Sequence, residues 1–336
     1  ILDDLTPLHQ LRDGLAESDV VLFQPRPTVR MRTYGGGAGH NTGPGLVDYS
    51  RADTSLVSID TVRGPHGEIE HHFLDAGQNP PDGVVIHYYL KEESSDAIRL
   101  SIRDNAGHQL RTFASDADSL PARAGLNRFV WNMRVAGAPD VTDATLDTWE
   151  RPDGPRVLPG IYEVQLTIGD RTEAQRFEII ADRRIRTTRE QLAEQFDFLN
   201  EVLGALSETN ALISSIGTLR SQLSAWDERG ISTSTASDIA AAREALNEIR
   251  GKLIDVNFWQ SQLWPSGLHE KFNALFESVD SADYAPPAQA RDVFVKLVAE
   301  LNDLDERIGS VLNGQLPPLN RAIEQAGLPA IGLPAS

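Results

Sequence analysis

The densest run of side chains able to hold a metal ion is HGEIEHH, which places His66, Glu68, Glu70, His71 and His72 within seven residues. Imidazole and carboxylate donors together suit zinc, and a helix presets such a site with two His at i and i+4 and Glu between them. Here the order is His, Glu, Glu, His, His, flanked by Gly64, Pro65 and Gly67, so no helix presets the ligands. Read as a strand, the segment puts Glu68, Glu70 and His72 on one face. The metal-ligand candidates are therefore His66, Glu68, His71 and His72, set against the plainer reading of a solvated polar strand or loop. Trp149, in the long loop from Val135 to Leu158, is the ligand-binding candidate, because an indole face stacks on a sugar ring or an apolar group. Its plainer role is to pin that loop to the fold beneath it.

Other constellations are weaker. GGGAGHNTGPG at 35 to 45 lacks the Lys-Ser/Thr that completes a phosphate-cradling loop, and no apolar strand leads into it. The acid pairs Asp3-Asp4 and Glu92-Glu93 are adjacent residues, which on a strand point to opposite faces and cannot flank one bond. No GxSxG elbow occurs, and with no Cys thiol catalysis, disulfides and thiolate metal sites are excluded. His87 lies between Val85 and Tyr89 and reads as a satisfied, half-buried strand residue. No catalytic residue and no cofactor is expected.

The elements that must position these residues follow from hydrophobic periodicity. From residue 84 the period is two. Ile98, Leu100 and Ile102 alternate with Arg99, Ser101 and Arg103, and the pattern recurs at Phe129 to Met133, Tyr162 to Ile168 and Phe177 to Ile179. Gly169-Asp170 predicts a two-residue hairpin turn. VVIHYYL at 84 to 90 is apolar on both faces, as a central strand is. About six or seven strands in roughly 100 residues predict an immunoglobulin- or fibronectin-like β-sandwich over 83–182.

After Asp182 the period becomes 3.5. Leu192, Phe196, Leu199, Leu203, Leu206, Asn210 and Ile213 form one stripe; Ile239 to Val256 and Phe294 to Val311 form two more. Residues 183–336 therefore predict an antiparallel up-down helical bundle, giving an α+β multidomain chain. Thr187 or Thr188 caps the first helix, Ser232 to Thr235 form a turn, and Leu316-Pro317-Pro318 breaks or kinks the last helix. Asn210, at a core position, is expected to fix register. Residues 1–33 hold two short apolar runs, and 34–82 read as a Gly/Pro-rich linker or insertion.

Composition narrows the partners. A formal charge of −18, with 49 acidic against 31 basic residues, leaves no basic face for nucleic acid or an anionic membrane. No apolar run approaches the ~18 residues of a membrane span.

Several strings together resemble the C-terminal region of bacterial proteins that carry an N-terminal BNR/Asp-box β-propeller, a sortilin-like, sialidase-like or glycosyl-hydrolase-like group. They are ILDDLTPL at 1 to 8, LFQPRP at 22 to 27, NPPDGVVIHYYL at 79 to 90, AGLNRFVWNMR at 124 to 134 and VLPGIYEVQLTIGD at 157 to 170, with QFDFLNEV and LPPLNRAIEQAGLP in the helical region. The resemblance implies that residues 1–33 are the remnant of a last propeller blade and its linker. It also implies export to the periplasm or outside the cell, and a partner in the chain's own N-terminal propeller, with protein or carbohydrate as further partners. No complete Asp-box occurs here, so no catalytic residue of that group carries over, and the stretch from Tyr34 to Asp75 matches it poorly. The expected function is a non-catalytic accessory or interaction region. The alternatives are part of a glycoside hydrolase whose site lies in the propeller, and a metal-dependent hydrolase built on the His66 to His72 cluster.

Overall fold

The computed structural model describes residues 4–11, 18–32, 47–52, 55–63, 69–74, 81–94, 96–117, 120–141, 153–227, 233–255, 267–325 and 331–333. The chain is mixed α+β and divides into two compact units. One comprises residues 1–133 and 159–184, the other 134–158 and 185–336. The backbone therefore passes between units three times, and the segment 134–158 belongs with the helices although strands flank it in sequence.

In the first unit a short helix α1 (Thr6–His9) precedes β1 (Val20–Leu22) and β2 (Thr28–Arg30). The main strands are β6 (Val84–Leu90), β7 (Ile98–Asp104), β8 (Gln109–Ala114), β9 (Gly125–Trp131), β10 (Gly160–Ile168) and β11 (Arg171–Ala181). They form a three-stranded sheet in the order β1-β6-β9 and a five-stranded sheet in the order β2-β11-β10-β7-β8. The apolar run at Val20 to Phe23 thus finds a partner, β1 adding antiparallel to β6, and β2 adds parallel to β11, while the other early apolar run, Ile1 to Leu5, lies mostly outside the described residues. Residues 34–82 carry a separate antiparallel meander, β3 (Val47–Ala52), β4 (Ser55–Arg63) and β5 (Ile69–Phe73).

Period-two burial is what holds the two larger sheets. Ile98, Leu100 and Ile102 are fully buried, as are Val164 and Trp131. Trp131 of the smaller sheet meets Tyr162 and Phe177 of the larger one edge-on, each with ring centroids 6.2 Å away. Aromatic edges against faces add attraction to the burial itself. Tyr88, also fully buried, donates its hydroxyl proton to the Pro121 carbonyl, so the phenol places its polar end without an orphaned group. The Gly169-Asp170 turn joins β10 to β11 with Ile168 opposite Arg171, and Gly169 takes φ +53°, where a side chain would strain the backbone.

The second unit is built from α2 (Arg189–Asp227), α3 (Thr233–Leu253), α4 (Leu268–Asp280), α5 (Ala288–Ser310) and α6 (Leu316–Gln325). Their apolar stripes share one core, including Leu199, Leu206, Ile239, Leu246, Phe272, Leu301 and Ile308. Helix α2 buries a wider arc than one heptad seam. Gln195, Phe198 and Val202 are buried beside Leu199, whereas Phe196 is only half-buried. A reciprocal capping box starts this helix: Gln191 N–H donates to Thr188 Oγ1, and Thr188 N–H donates to Gln191 Oε1. The first turn of α3 takes in Thr233 to Thr235, where the sequence predicts a turn. Between α5 and α6 the backbone widens into a π-helical stretch at Val311–Gln315. Pro317 and Pro318 cannot donate to the preceding turn, and their rings crowd its carbonyls, so the i→i−4 ladder gives way there.

Candidate functional site

Among the described residues, the largest gathering of buried polar chemistry lies in the helical unit, around the N-terminal turn of α4. His269, Glu270 and Asn273 are at most 4% exposed, as are Thr209 and Asn210 of α2. At 100° per residue, His269, Asn273 and Glu270 occupy one continuous arc of about 100° on α4. That arc adjoins the apolar one formed by Leu268, Phe272, Leu275, Phe276 and Val279, so the helix is covered over more than half its circumference.

Thr209, Asn210, His269 and Glu270 of this seam each bond to a backbone group or another side chain. Asn210 Nδ2 donates to the Pro139 carbonyl at 2.8 Å, and Asn210 Oδ1 lies 2.8 Å from His269 Nδ1. With the amide oxygen facing the ring, His269 donates from Nδ1, which sets its tautomer. At the other end of α4, Gln195 Nε2 donates to the carbonyls of Val279 (2.7 Å) and Ala282 (2.6 Å). Two residues of α2, fifteen positions apart, thus hold opposite ends of α4, and the two helices run in opposite directions.

Glu270 is fully buried. Its Oε2 accepts the Asp255 N–H at 3.2 Å, just past the end of α3. Among the described residues, its Oε1 and both polar atoms of the Asn273 amide have no hydrogen-bond partner. Burial pushes the Glu270 carboxyl up to about 7; the backbone N–H bonds pull against that rise, and the Asp255 charge adds to it. A side chain at Gly267 has no room, since a Cβ there would lie 2.6 Å from Glu270 Oε2 and 2.7 Å from the Ile254 Cα.

The segment 134–158 is strapped to the same unit. Arg134 donates to Asp280 Oδ2 at 2.6 Å and to the Gly154 carbonyl at 3.0 Å, with the two charged side chains only 16% and 12% exposed. A short antiparallel bridge pairs Arg134 with Arg156, and Ala138 enters the helical core. In the first unit, a surface groove beside β2 is lined by Arg26, Val29, Met31, Ile180, Arg183 and Arg184. Two of its cations face acids within the fold, Arg184 with Asp182 at 2.6 Å and Arg26 with Asp4 at 3.8 Å.

Of the residues singled out from sequence, His71 and His72 are consecutive residues of β5, paired in register with Thr61 and Asp60 of β4. His66, Glu68 and Trp149 lie outside the described residues. Among the described residues, no three His, Cys, Asp or Glu side chains gather closely enough to hold a metal ion. Among them, too, no helix is long and apolar enough to cross a membrane. His87 is half-buried in β6, as its strand pattern predicts. Asn210 is the one member of the buried seam that the heptad pattern marks. The signal that marks the others is a polar run at 269, 270 and 273 bordering an apolar stripe, which reads equally as a solvated face.

Neither a protein-family model nor a curated protein matches this chain.

Proposed function

We propose that the chain is a non-catalytic accessory and interaction region of an exported Asp-box β-propeller protein, serving as a scaffold that docks the propeller and presents surface to protein or carbohydrate. In this reading the two facing sheets are an immunoglobulin- or fibronectin-like sandwich, supported by the contact of Trp131 with Tyr162 and Phe177. The helices are an antiparallel up-down bundle, supported by the opposite directions of α2 and α4. The observation that carries the functional reading is the use made of buried polar side chains. Asn210, Gln195 and Arg134 end on backbone carbonyls of Pro139, Val279, Ala282 and Gly154, so their hydrogen-bonding capacity is taken up in holding segments together. A site that transforms a substrate instead aims such groups at a space the substrate enters.

The test is to express the propeller region of the parent protein separately, mix it with this chain and measure association by sedimentation velocity. The isolated chain is assayed alongside for hydrolysis of aryl glycosides. The expected result is a defined complex with the propeller and no turnover by the chain alone. Hydrolysis by the chain alone, or failure to associate, would overturn the proposal.

A further inference from the structure

We propose that the groove beside β2 is a docking site for an acidic, partly apolar segment of a partner protein. This site deepens the reading of the chain as an interaction region, on which it rests, and it is tested without the propeller, so each can fail alone. The groove encloses about 560 Å³ and is lined by residues 26–31 and 180–184, all in the first unit. Val29 of β2 stands opposite Ile180 of β11, and register partners share a face of the sheet. The two side chains therefore lie together on the face away from the buried Ile179. Pro27 and Met31, two positions either side of Val29, extend this apolar floor. Strand β2 ends the order of its sheet, so among the described residues no further strand pairs with its outer edge.

The rim is cationic in a chain of formal charge −18: the lining holds Arg26, Arg183 and Arg184 against one acid, Asp182. The ion pairs there do not cancel it. Asp4 and Asp182 are only 5% and 9% exposed, whereas Arg26 and Arg184 remain 49% and 68% exposed. The acids sit behind the guanidinium groups and orient them, and the cationic faces stay open to solvent. Arg184 bonds to Asp182 through Nε and Nη2, which leaves Nη1 for a ligand. Arg183 adds a third exposed guanidinium. Such forks suit carboxylates, which they bind through paired hydrogen bonds. Charge also selects the class of partner. Salt screens charges beyond ~8 Å, so a short ligand responds to the arginines at the rim and little to the distant acids. A long polyanion such as nucleic acid must lie across those acids and is repelled. The occupant that fits is a short segment with an aliphatic side chain, set on Val29, Met31 and Ile180, flanked by carboxylates that reach the arginines.

The experiment measures fluorescence anisotropy of a short peptide of alternating glutamate and valine, labelled with a neutral dye, against the full chain. Arg183→Glu is expected to weaken binding about 10-fold, the loss of one charge-assisted contact. Val29→Ser, at an exposed position, should weaken it roughly 3-fold. The same peptide with lysine in place of glutamate should not bind. Absence of binding by the glutamate peptide, or equal affinity for the parent and Arg183→Glu chains, would overturn the proposal. Amide NMR mapping of the peptide on the unmodified chain gives a readout that does not depend on a variant folding. The largest shifts are expected at Val29, Met31, Ile180 and Arg183; shifts centred elsewhere place the site wrongly and sink it. Sedimentation velocity of the chain alone tests the other occupant. Self-association that Val29→Ser abolishes would make the groove an interface between copies and rule out a foreign acidic partner.

Discussion

Replacing Arg134 by Met should destabilise the helical unit by about 4 kcal/mol, about 3 of it recovered when Asp280 is replaced by Asn in the same chain. The magnitude follows from the pair's surroundings. At 2.6 Å, with the two side chains 16% and 12% exposed, each charge has given up most of its water in favour of the other. Breaking a buried pair leaves one charge unpaired, at roughly 3 to 5 kcal/mol when fully buried; the remaining exposure places this one at the lower end. Arg134 also loses its bond to the Gly154 carbonyl, about 1 kcal/mol more, which the Asp280→Asn change does not restore. The assay is urea unfolding followed by far-ultraviolet circular dichroism, which reports the helices, for the parent, both single variants and the double variant. A coupling energy of at least about 3 kcal/mol is expected from the cycle. Hydrogen exchange at Val135 and Gly154, which bond to Pro155 and Val135, should accelerate in the single variants. A coupling energy under about 0.5 kcal/mol, the range of solvent-exposed pairs, would refute the idea that this contact fastens the segment 134–158 to the helices.

Asn210→Ala leaves the His269 N–H and the Pro139 carbonyl buried without their partner, and should cost about 2 to 4 kcal/mol in the same unfolding assay. Gly267→Ala forces a Cβ against Glu270 and the Ile254 backbone and should cost about 1 to 3 kcal/mol, read as a drop in the helical melting temperature. Trp131→Ala opens a cavity between Tyr162 and Phe177; a loss of about 3 to 5 kcal/mol is expected, monitored by near-ultraviolet circular dichroism. Thr188→Ala removes half of the capping box of α2 and should lower stability by about 1 kcal/mol, while Thr188→Ser leaves it nearly unchanged.

The parts of the fold legible in the sequence are those where burial repeats locally. Ile98, Leu100 and Ile102 announce a strand because every second side chain meets the same core, and Ile239, Ala242, Leu246 and Ile249 announce a helix because every third or fourth does. The pairing of β1 with β6 and of β2 with β11 has no such local mark. Three-residue strands carry too few alternations to show a face, and their partners lie some 70 and 150 residues away in sequence.

The buried polar seam is harder to read for a related reason. Periodicity separates an apolar face from a polar one, and it assigns the polar one to water; it cannot show that another part of the chain covers it. On α4 the stripe from Leu268 to Val279 predicts one buried face, yet His269, Glu270 and Asn273 are buried too, and His269 and Glu270 bond to Asn210 of α2 and to the backbone just past α3. The segment from Val135 to Leu158 reads as a loop between strands, since the groups that hold it, Asp280 and Asn210, are 146 and 71 residues distant. Both features join segments remote in sequence through polar atoms, and polar atoms have no period. Where such a joint also encloses a carboxyl group, as at Glu270, the burial that hides it from sequence reasoning also pushes its titration up to about 7.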